Sequence, residues 1–446
     1  MHDQVSPAAD TPPHPGKKEL SKGGVLTRTV LGYGFESYDF TAFAIFAPFF
    51  ATQFFHPDDQ VAATLSALLV FALGFIARPI GALFFGWFAD QRGRRAAMVL
   101  ALFLSAGGSL MIGLMPTYGA VGLISAVLLT VARLMQGFGH GGESGGAYSY
   151  LAEVAPSNRR GLWGATVQMS AISGIFVATL MGAAMTSILG TEALQNWAWR
   201  IPFIIGGLLG FFGLYLRTNL HESEAFEAQK AVAAKARTHA TTVPVRDGYL
   251  VRMWQHRKNI MRVIGLSVGL TVFNYSYAVS GTARAITVEK ADPEVALWAG
   301  LAAQALYMIL LPIWGLLSDR WGRRPSFLIT GLGLAVVAFP LANLMGPTFW
   351  QIFLPIFIAL FFLGAAIAAD PAYFAELFPT NVRATGVGFP YAFAISLFGG
   401  TAPLIATWLG VNDLGWVFTT YCMALALTTA LVAWFSPETN GRNLRD

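Results

Sequence analysis

Twelve apolar runs alternate with short polar segments along this chain of 446 residues. They fall at about 27–55, 61–87, 97–115, 120–150, 163–187 and 198–217. A second set follows at about 263–285, 296–317, 326–345, 350–376, 384–409 and 415–435. A helix of roughly 20 apolar residues spans bilayer hydrocarbon, and backbone groups there must be satisfied within the segment. The pattern therefore predicts an all-α polytopic membrane protein with twelve transmembrane helices. The one long polar interior stretch, 221–262, separates the sixth run from the seventh. It opens on Glu222, Glu224 and Glu227 and continues with Lys230, Lys235 and Arg237, which suits an amphipathic helix on the membrane face. The expected layout is a disordered tail over 1–24, a six-helix bundle over 25–218 and a linker over 219–262. A second bundle over 263–436 and a polar tail over 437–446 complete it.

Composition sharpens this picture. Hydrophobic residues make up 55% of the chain and charged residues 12%, against about a quarter charged in soluble domains. The net charge of +5 does not point to nucleic acid, because the basic residues cluster in alternate loops: Lys17 to Arg28, Arg92 to Arg95, Arg159 with Arg160, Lys230 to Arg262, Arg320 to Arg324, Arg383, and Arg442 with Arg445. The other loops carry Asp58, Asp59, Glu192, Asp292, Glu294 and Asp413. That asymmetry places both termini in the cytoplasm of a plasma membrane, with a bacterial inner membrane expected. The single cysteine, Cys422, excludes an intrachain disulfide. Neither a zinc-binding H-E-x-x-H, nor a phosphate-binding loop, nor a nucleophile elbow occurs at a credible position, so no enzyme activity, cofactor or metal site is expected. The expected partners are a small-molecule solute, protons and lipid, with the chain a monomer.

One loop occurs twice. Gly86, Asp90, Gly93 and Arg94 recur as Gly315, Asp319, Gly322 and Arg323 at a constant offset, which marks a duplicated half. In each copy the first glycine lets a helix end approach a neighbour and the second allows a tight turn. The arginines hold the loop on one side of the bilayer, and the aspartate suits an arginine or a helix N-terminus. The pattern G-x-x-x-D-x-x-G-R-R resembles the loop 2–3 signature of the major facilitator superfamily, and its repeat resembles loop 8–9. The resemblance implies two pseudo-symmetric six-helix bundles.

Charges inside apolar runs are costly and point to function. Arg78 lies twelve positions before Asp90, roughly 18 Å along a helix, near mid-membrane. It either contacts the solute or pairs with Glu36 or Asp39. Those two acids lie one turn apart on the first run, beside Tyr38, and either take up a proton or form a static salt bridge. On the fourth run Arg133, Gln136, Gly137, His140 and Ser144 follow helical spacing along one stripe, with Glu143 adjacent. His140 could change charge near neutral pH or serve only as a packed hydrogen-bonding group. Gln168 sits on the fifth run. Arg200 opens the sixth, where snorkelling is the plain alternative to a binding role. In the second half Asn274, Tyr275, Tyr277, Arg284 and Asp370 are the polar exceptions, and Asp370 could also be a helix-end acid.

Several ordered motifs resemble the metabolite:proton symporter family, which includes α-ketoglutarate, citrate, shikimate and proline/betaine permeases. They are Glu36-x-Tyr38-Asp39-Phe40, Gly74-Phe-x-x-Arg78-Pro-x-Gly81, Arg133-x-x-Gln136-Gly-x-x-x-Gly141-Gly-Glu143 and Trp199-Arg200-Ile-Pro-Phe203. Glu376-Leu-Phe-Pro379-x-x-Val-Arg383 and Phe398-Gly-Gly400-x-x-Pro403 continue the series in the second half. The resemblance implies alternating access driven by a proton gradient. It also implies that Arg78 and Arg200 hold substrate carboxylates in the α-ketoglutarate-like members, while the same arginines occur in the betaine-like one. Ser37 stands where that family usually has Trp, and His140 where it often has Val, which implies a distinct solute. The expected solute site is Arg78, Arg133, Gln136, Tyr38, Gln168, Arg200 and His140. The expected proton carriers are Glu36, Asp39, Glu143 and Asp370.

Overall fold

The computed structural model describes residues 22–55, 58–92, 94–141, 148, 155–218, 255–379 and 382–442. Each apolar run carries a helix over most of its described residues. The first six are α1 (Lys22–Phe50), α2 (Gln60–Arg92), α3 (Arg94–Leu114), α4 (Ile124–His140), α5 (Arg160–Leu189) and α6 (Arg200–Thr218). The second six are α7 (Arg257–Phe273), α8 (Pro293–Trp321), α9 (Arg323–Leu344), α10 (Phe349–Glu376), α11 (Arg383–Ala394) and α12 (Gly415–Trp434). Among the described residues, eight helical spans are long and apolar enough to cross a membrane. A ninth arises if the bent pair Arg257–Val279 and Gly281–Thr287 is one span.

Two helices are interrupted where they meet the centre. α7 passes through a π-turn at Asn274–Val279 and then bends by 58° into Gly281–Thr287. α11 passes through a π-turn at Ile395–Gly399 before Ala402–Val411. Wide turns of this kind free backbone groups locally and cluster at functional sites.

α7 begins at Arg257, ahead of the apolar run that marks it, and Arg257 and Lys258 are exposed. Hydropathy marks only the part of a helix that sits in hydrocarbon. A basic solvated first turn extends it without an apolar signal. The expected disordered tail and the interior linker fall largely on residues outside those described.

Side-chain caps set other boundaries. Asp292 accepts from the Glu294 and Val295 amides at 2.9 and 3.2 Å, with Pro293 as the first helical residue of α8. Thr348 and Gln351 form a capping box that starts α10. Gly322 ends α8 at φ +108°, a conformation open to glycine and strained for other residues.

α1 packs on α5, α2 and α3 on α4, and α3 on α6; α8 packs on α10, α9 on α12, and α7 on α12. The two sets meet chiefly where α5 lies along α8 and α10. A Cβ on Gly315 would come within 2.8 Å of the Gly161 carbonyl oxygen, so this crossing needs glycine on both helices. Beside the centre, Phe40, Phe43, Phe50, Phe71, Phe75 and Phe203 pack mostly edge to face.

Candidate functional site

A cavity of about 100 Å³ lies between the two sets of helices. From the first six come Glu36, Ser37 and Phe40 of α1, Arg78 of α2, His140 of α4 and Gln168 of α5. From the second six come Asn274 and Tyr275 in the π-turn of α7, Ile367 of α10 and Tyr391 of α11. Each half thus supplies part of one wall.

The acids of α1 are joined through α4. His140 Nδ1 lies 3.3 Å from Glu36 Oε1, and its Nε2 lies 3.8 Å from Asp39 Oδ2. Glu36 and His140 line the cavity while Asp39 sits behind them, 7% exposed. Asp39 accepts hydrogen bonds from Ser109 Oγ, from Ser105 Oγ at 3.2 Å and from Gln136 Nε2 at 3.3 Å. Gln136 in turn accepts from Arg133 Nη1 at 2.7 Å. Helical spacing explains the grouping: Arg133, Gln136 and His140 share the inward face of α4.

The arginines are held differently. Arg78 rests its guanidinium 3.8 Å from the Phe40 ring centre and 4.5 Å from that of Phe75, a cation–π arrangement that steadies the charge in a dry setting. Tyr275 lines the same cavity from the other half. No carboxylate among the described residues lies within ion-pair range of it. Arg133 is fully buried among the rings of Phe40, Phe43 and Phe71 and does not line the cavity.

Gln168 lines the cavity and reaches past it. Its Nε2 donates to Asp370 Oδ1 of α10 at 2.7 Å and to the Tyr148 hydroxyl at 3.0 Å. Asp370 is fully buried within α10, six residues before its last, and does not itself line the cavity.

Besides Arg133 and Gln136, which are buried behind it, two more expected solute ligands stand apart from the cavity. Arg200 donates to the carbonyls of Gly113 and Met115 at 3.0 and 2.8 Å and lies over the Trp199 ring. It closes the C-terminal end of α3, whose last carbonyls have no helical partner. The Tyr38 hydroxyl donates to the Pro202 carbonyl at 2.9 Å and ties α1 to α6. Glu143, Ser144 and Gly93 lie outside the described residues, as do the side chains at Gly86, Asp90 and Arg94.

The second copy of the repeated loop is a closed clasp. Asp319 accepts from the Gly161 and Leu162 amides at 2.7 and 2.9 Å, at the N-terminus of α5, and pairs with Arg323 at 2.9 Å. Arg323 and Arg160 both approach Glu376 at 3.5 Å. Glu438 accepts from the Arg323 and Arg324 amides at 2.9 and 3.0 Å. The start of the expected polar tail is therefore part of this clasp. At the opposite end of the α5–α8 seam the contact is lighter: Ser187 Oγ donates to Glu294 and accepts from Trp298 Nε1.

Sequence reasoning gave no role to Ser105, Ser109, Tyr148 or Tyr391, and left Tyr275 and Glu376 without one. Ser105 and Ser109 stand one turn apart on α3, a polar pair in an apolar run, and that spacing was a readable signal. Tyr391 carried none, since an aromatic in a membrane helix is ordinary.

The family model described as "Sugar (and other) transporter" matches residues 25–446. The inner membrane metabolite transport protein YhjE of Escherichia coli (strain K12) is 35% identical over 95% of this chain and 96% of its own length. A protein of Staphylococcus haemolyticus (strain JCSC1435), whose name proposes proline/betaine transport, is 32% identical over 94% of this chain and 88% of its own. The alpha-ketoglutarate permease of Escherichia coli (strain K12) is 31% identical over 89% of this chain and 90% of its own. Among solved structures, a D-xylose-proton symporter superposes with a TM-score of 0.71 at 18% identity, covering 94% of this chain and 99% of that one.

Proposed function

The chain belongs to the sugar (and other) transporter family of the major facilitator superfamily, a multi-pass membrane transporter and not an enzyme, and from that premise we propose that it is a proton-coupled symporter of small organic anions. The observation that carries the reading is Arg78. A guanidinium with no carboxylate partner among the described residues faces the cavity between the halves, held on two phenylalanine rings. An arginine at this depth needs an anion, and its planar fork suits a carboxylate. Tyr275 and Asn274 from the other half complete a polar grip on the solute.

The proton is carried by the cluster next to it. Glu36 and His140 face the cavity, and His140 connects them to Asp39. A proton taken up from the cavity by this cluster changes its charge beside Arg78, so solute and proton are bound in one electrostatic unit. Arg133 is assigned to this unit through Gln136 and not to the solute. The bundles 25–218 and 263–436 then rock about the α5–α8 seam, opening the Asp319–Arg323–Glu376 gate on the face that carries the basic loops. We place that face and both termini in the cytoplasm, on the charge asymmetry of the loops, in a bacterial inner membrane, with one chain as the working unit.

A second reading has its own support. Glu36 and the rings of Phe40 and Tyr275 share the cavity with Arg78, so a zwitterion could set its carboxylate on Arg78 and its cationic end on the acid and rings. Uptake of 2-oxoglutarate, citrate and glycine betaine into proteoliposomes under an imposed pH gradient separates the two. The anion reading predicts carboxylate accumulation that Arg78→Ala removes. Accumulation of glycine betaine alone establishes the second reading, and no response of any solute to the pH gradient overturns both.

A further inference from the structure

We propose that Asp370 is a second proton-binding group, one that clasps the two halves together while it carries its proton and lets them part when it gives the proton up; this rests on the symport reading above. The bond it makes crosses the halves. Oδ1 accepts from Gln168 of α5 at 2.7 Å while Asp370 itself rides on α10. The helices are pressed together at that level, because a Cβ on Gly164 would come within 3.0 Å of the Ala368 carbonyl oxygen.

The surroundings of Asp370 differ from those of Asp39. Among the described residues, the polar groups facing it are Gln168 and, beyond it, the Tyr148 hydroxyl, with Tyr391 of α11 3.4 Å from Tyr148 and Tyr307 of α8 in electrostatic range. All of these are neutral. No lysine, arginine or histidine among the described residues comes within ion-pair distance, and Oδ2 has no hydrogen-bond partner among the described residues. A carboxylate sealed in such a place has one donor and no counter-charge, which is costly. A neutral acid keeps the same bond from Gln168 at no such cost.

Its position makes this useful. Ile367, three residues earlier on α10, lines the cavity, and Glu376, six residues later, belongs to the gate. Asp370 therefore stands between solute and gate, roughly 9 Å of helix from the latter. When α5 leaves α10 as the gate opens, the Gln168 bond breaks and water reaches the carboxyl. The O–H bond then breaks, the proton passes to water on the gate side, and the carboxylate left behind is solvated. Closing again requires a proton to return. Gln168 and Tyr391 both line the cavity, so the solute reaches this clasp through one hydrogen bond.

Infrared difference spectra of the full chain in lipid at neutral pH, wild type against Asp370→Asn, test the idea without any solute. The carbonyl stretch of a protonated carboxyl should be present in wild type and absent from the variant, and should move to higher frequency in Gln168→Leu as its hydrogen bond is lost. No such band means that Asp370 is a carboxylate in the closed state, and the proposal fails. In proteoliposomes, with 2-oxoglutarate and glycine betaine as probes, Asp370→Asn should lower the ratio of pH-driven accumulation to solute exchange by about tenfold. A wild-type ratio overturns the coupling role. A wild-type protein that ignores the pH gradient sinks the symport reading, whereas the infrared result still decides whether Asp370 holds a proton.

Discussion

The gate and the cavity use the same residue types in opposite ways. At the gate, arginines are paired with acids: Arg323 with Asp319 and Glu376, Arg160 with Glu376. At the cavity and just behind it, arginines sit on phenylalanine rings and the acids meet a histidine, hydroxyls and an amide instead. Charge that is already paired locks two helices in place. Charge held on an aromatic face stays ready for an anion from outside. The distinction lies in what each guanidinium touches, and on the proposed reading it separates the clasp between the halves from the solute site.

Substitutions can break that contrast at several strengths. The largest effect is expected at Asp39. Asp39→Asn keeps the size but leaves one acceptor oxygen in place of two and removes the charge, and should cut pH-driven accumulation by about 100-fold, near 3 kcal/mol of coupling, as measured by proteoliposome uptake. Arg78→Ala comes next. Loss of charge-assisted hydrogen bonds to a carboxylate should weaken solute binding by about 2–3 kcal/mol, with Arg78→Lys intermediate because it lacks the planar fork; isothermal titration measures both. Asp319→Asn should act on the other region. It leaves the cavity intact, takes one of its two acids from Arg323, weakens the hold on the start of α5, and shifts the halves toward opening on the basic-loop side by about 1–2 kcal/mol. Thiol labelling of Ile367→Cys from that side reads the shift, since the native Cys422 is buried. The smallest effects belong to Arg200→Ala and Tyr38→Phe. Each should cost about 1–2 kcal/mol of stability through lost bonds to backbone carbonyls and leave solute affinity unchanged, as read by thermal unfolding beside the same titration.

The contrast was only partly legible in the sequence. The twelve helices were, because hydrocarbon demands long apolar runs and tolerates little else. The turn at Gly322 and the crossing at Gly315 were as well, since each rests on a glycine whose Cβ has no room. Arg78, His140, Glu36 and Gln168 announced themselves as polar groups in expensive positions, and they meet at one cavity. Burial cost alone could not sort Arg133 from Arg78, however. Both lie on apolar helices, and only the packing shows that one faces the cavity and the other is sealed behind Phe40. Arg200 and Tyr38 matched motifs, but their partners are backbone carbonyls, which no side-chain pattern reveals. The place of Glu376 and Glu438 in the clasp depends on contacts between residues more than fifty positions apart in sequence, beyond any local reading.

Proton movement with the solute can be observed directly. Proteoliposomes without an imposed gradient, loaded with a pH-sensitive dye, should acidify inside when 2-oxoglutarate or glycine betaine is added to wild-type protein, and should not when Asp39→Asn replaces it. Solute entry with no acidification, or equal acidification by Asp39→Asn, would contradict the account.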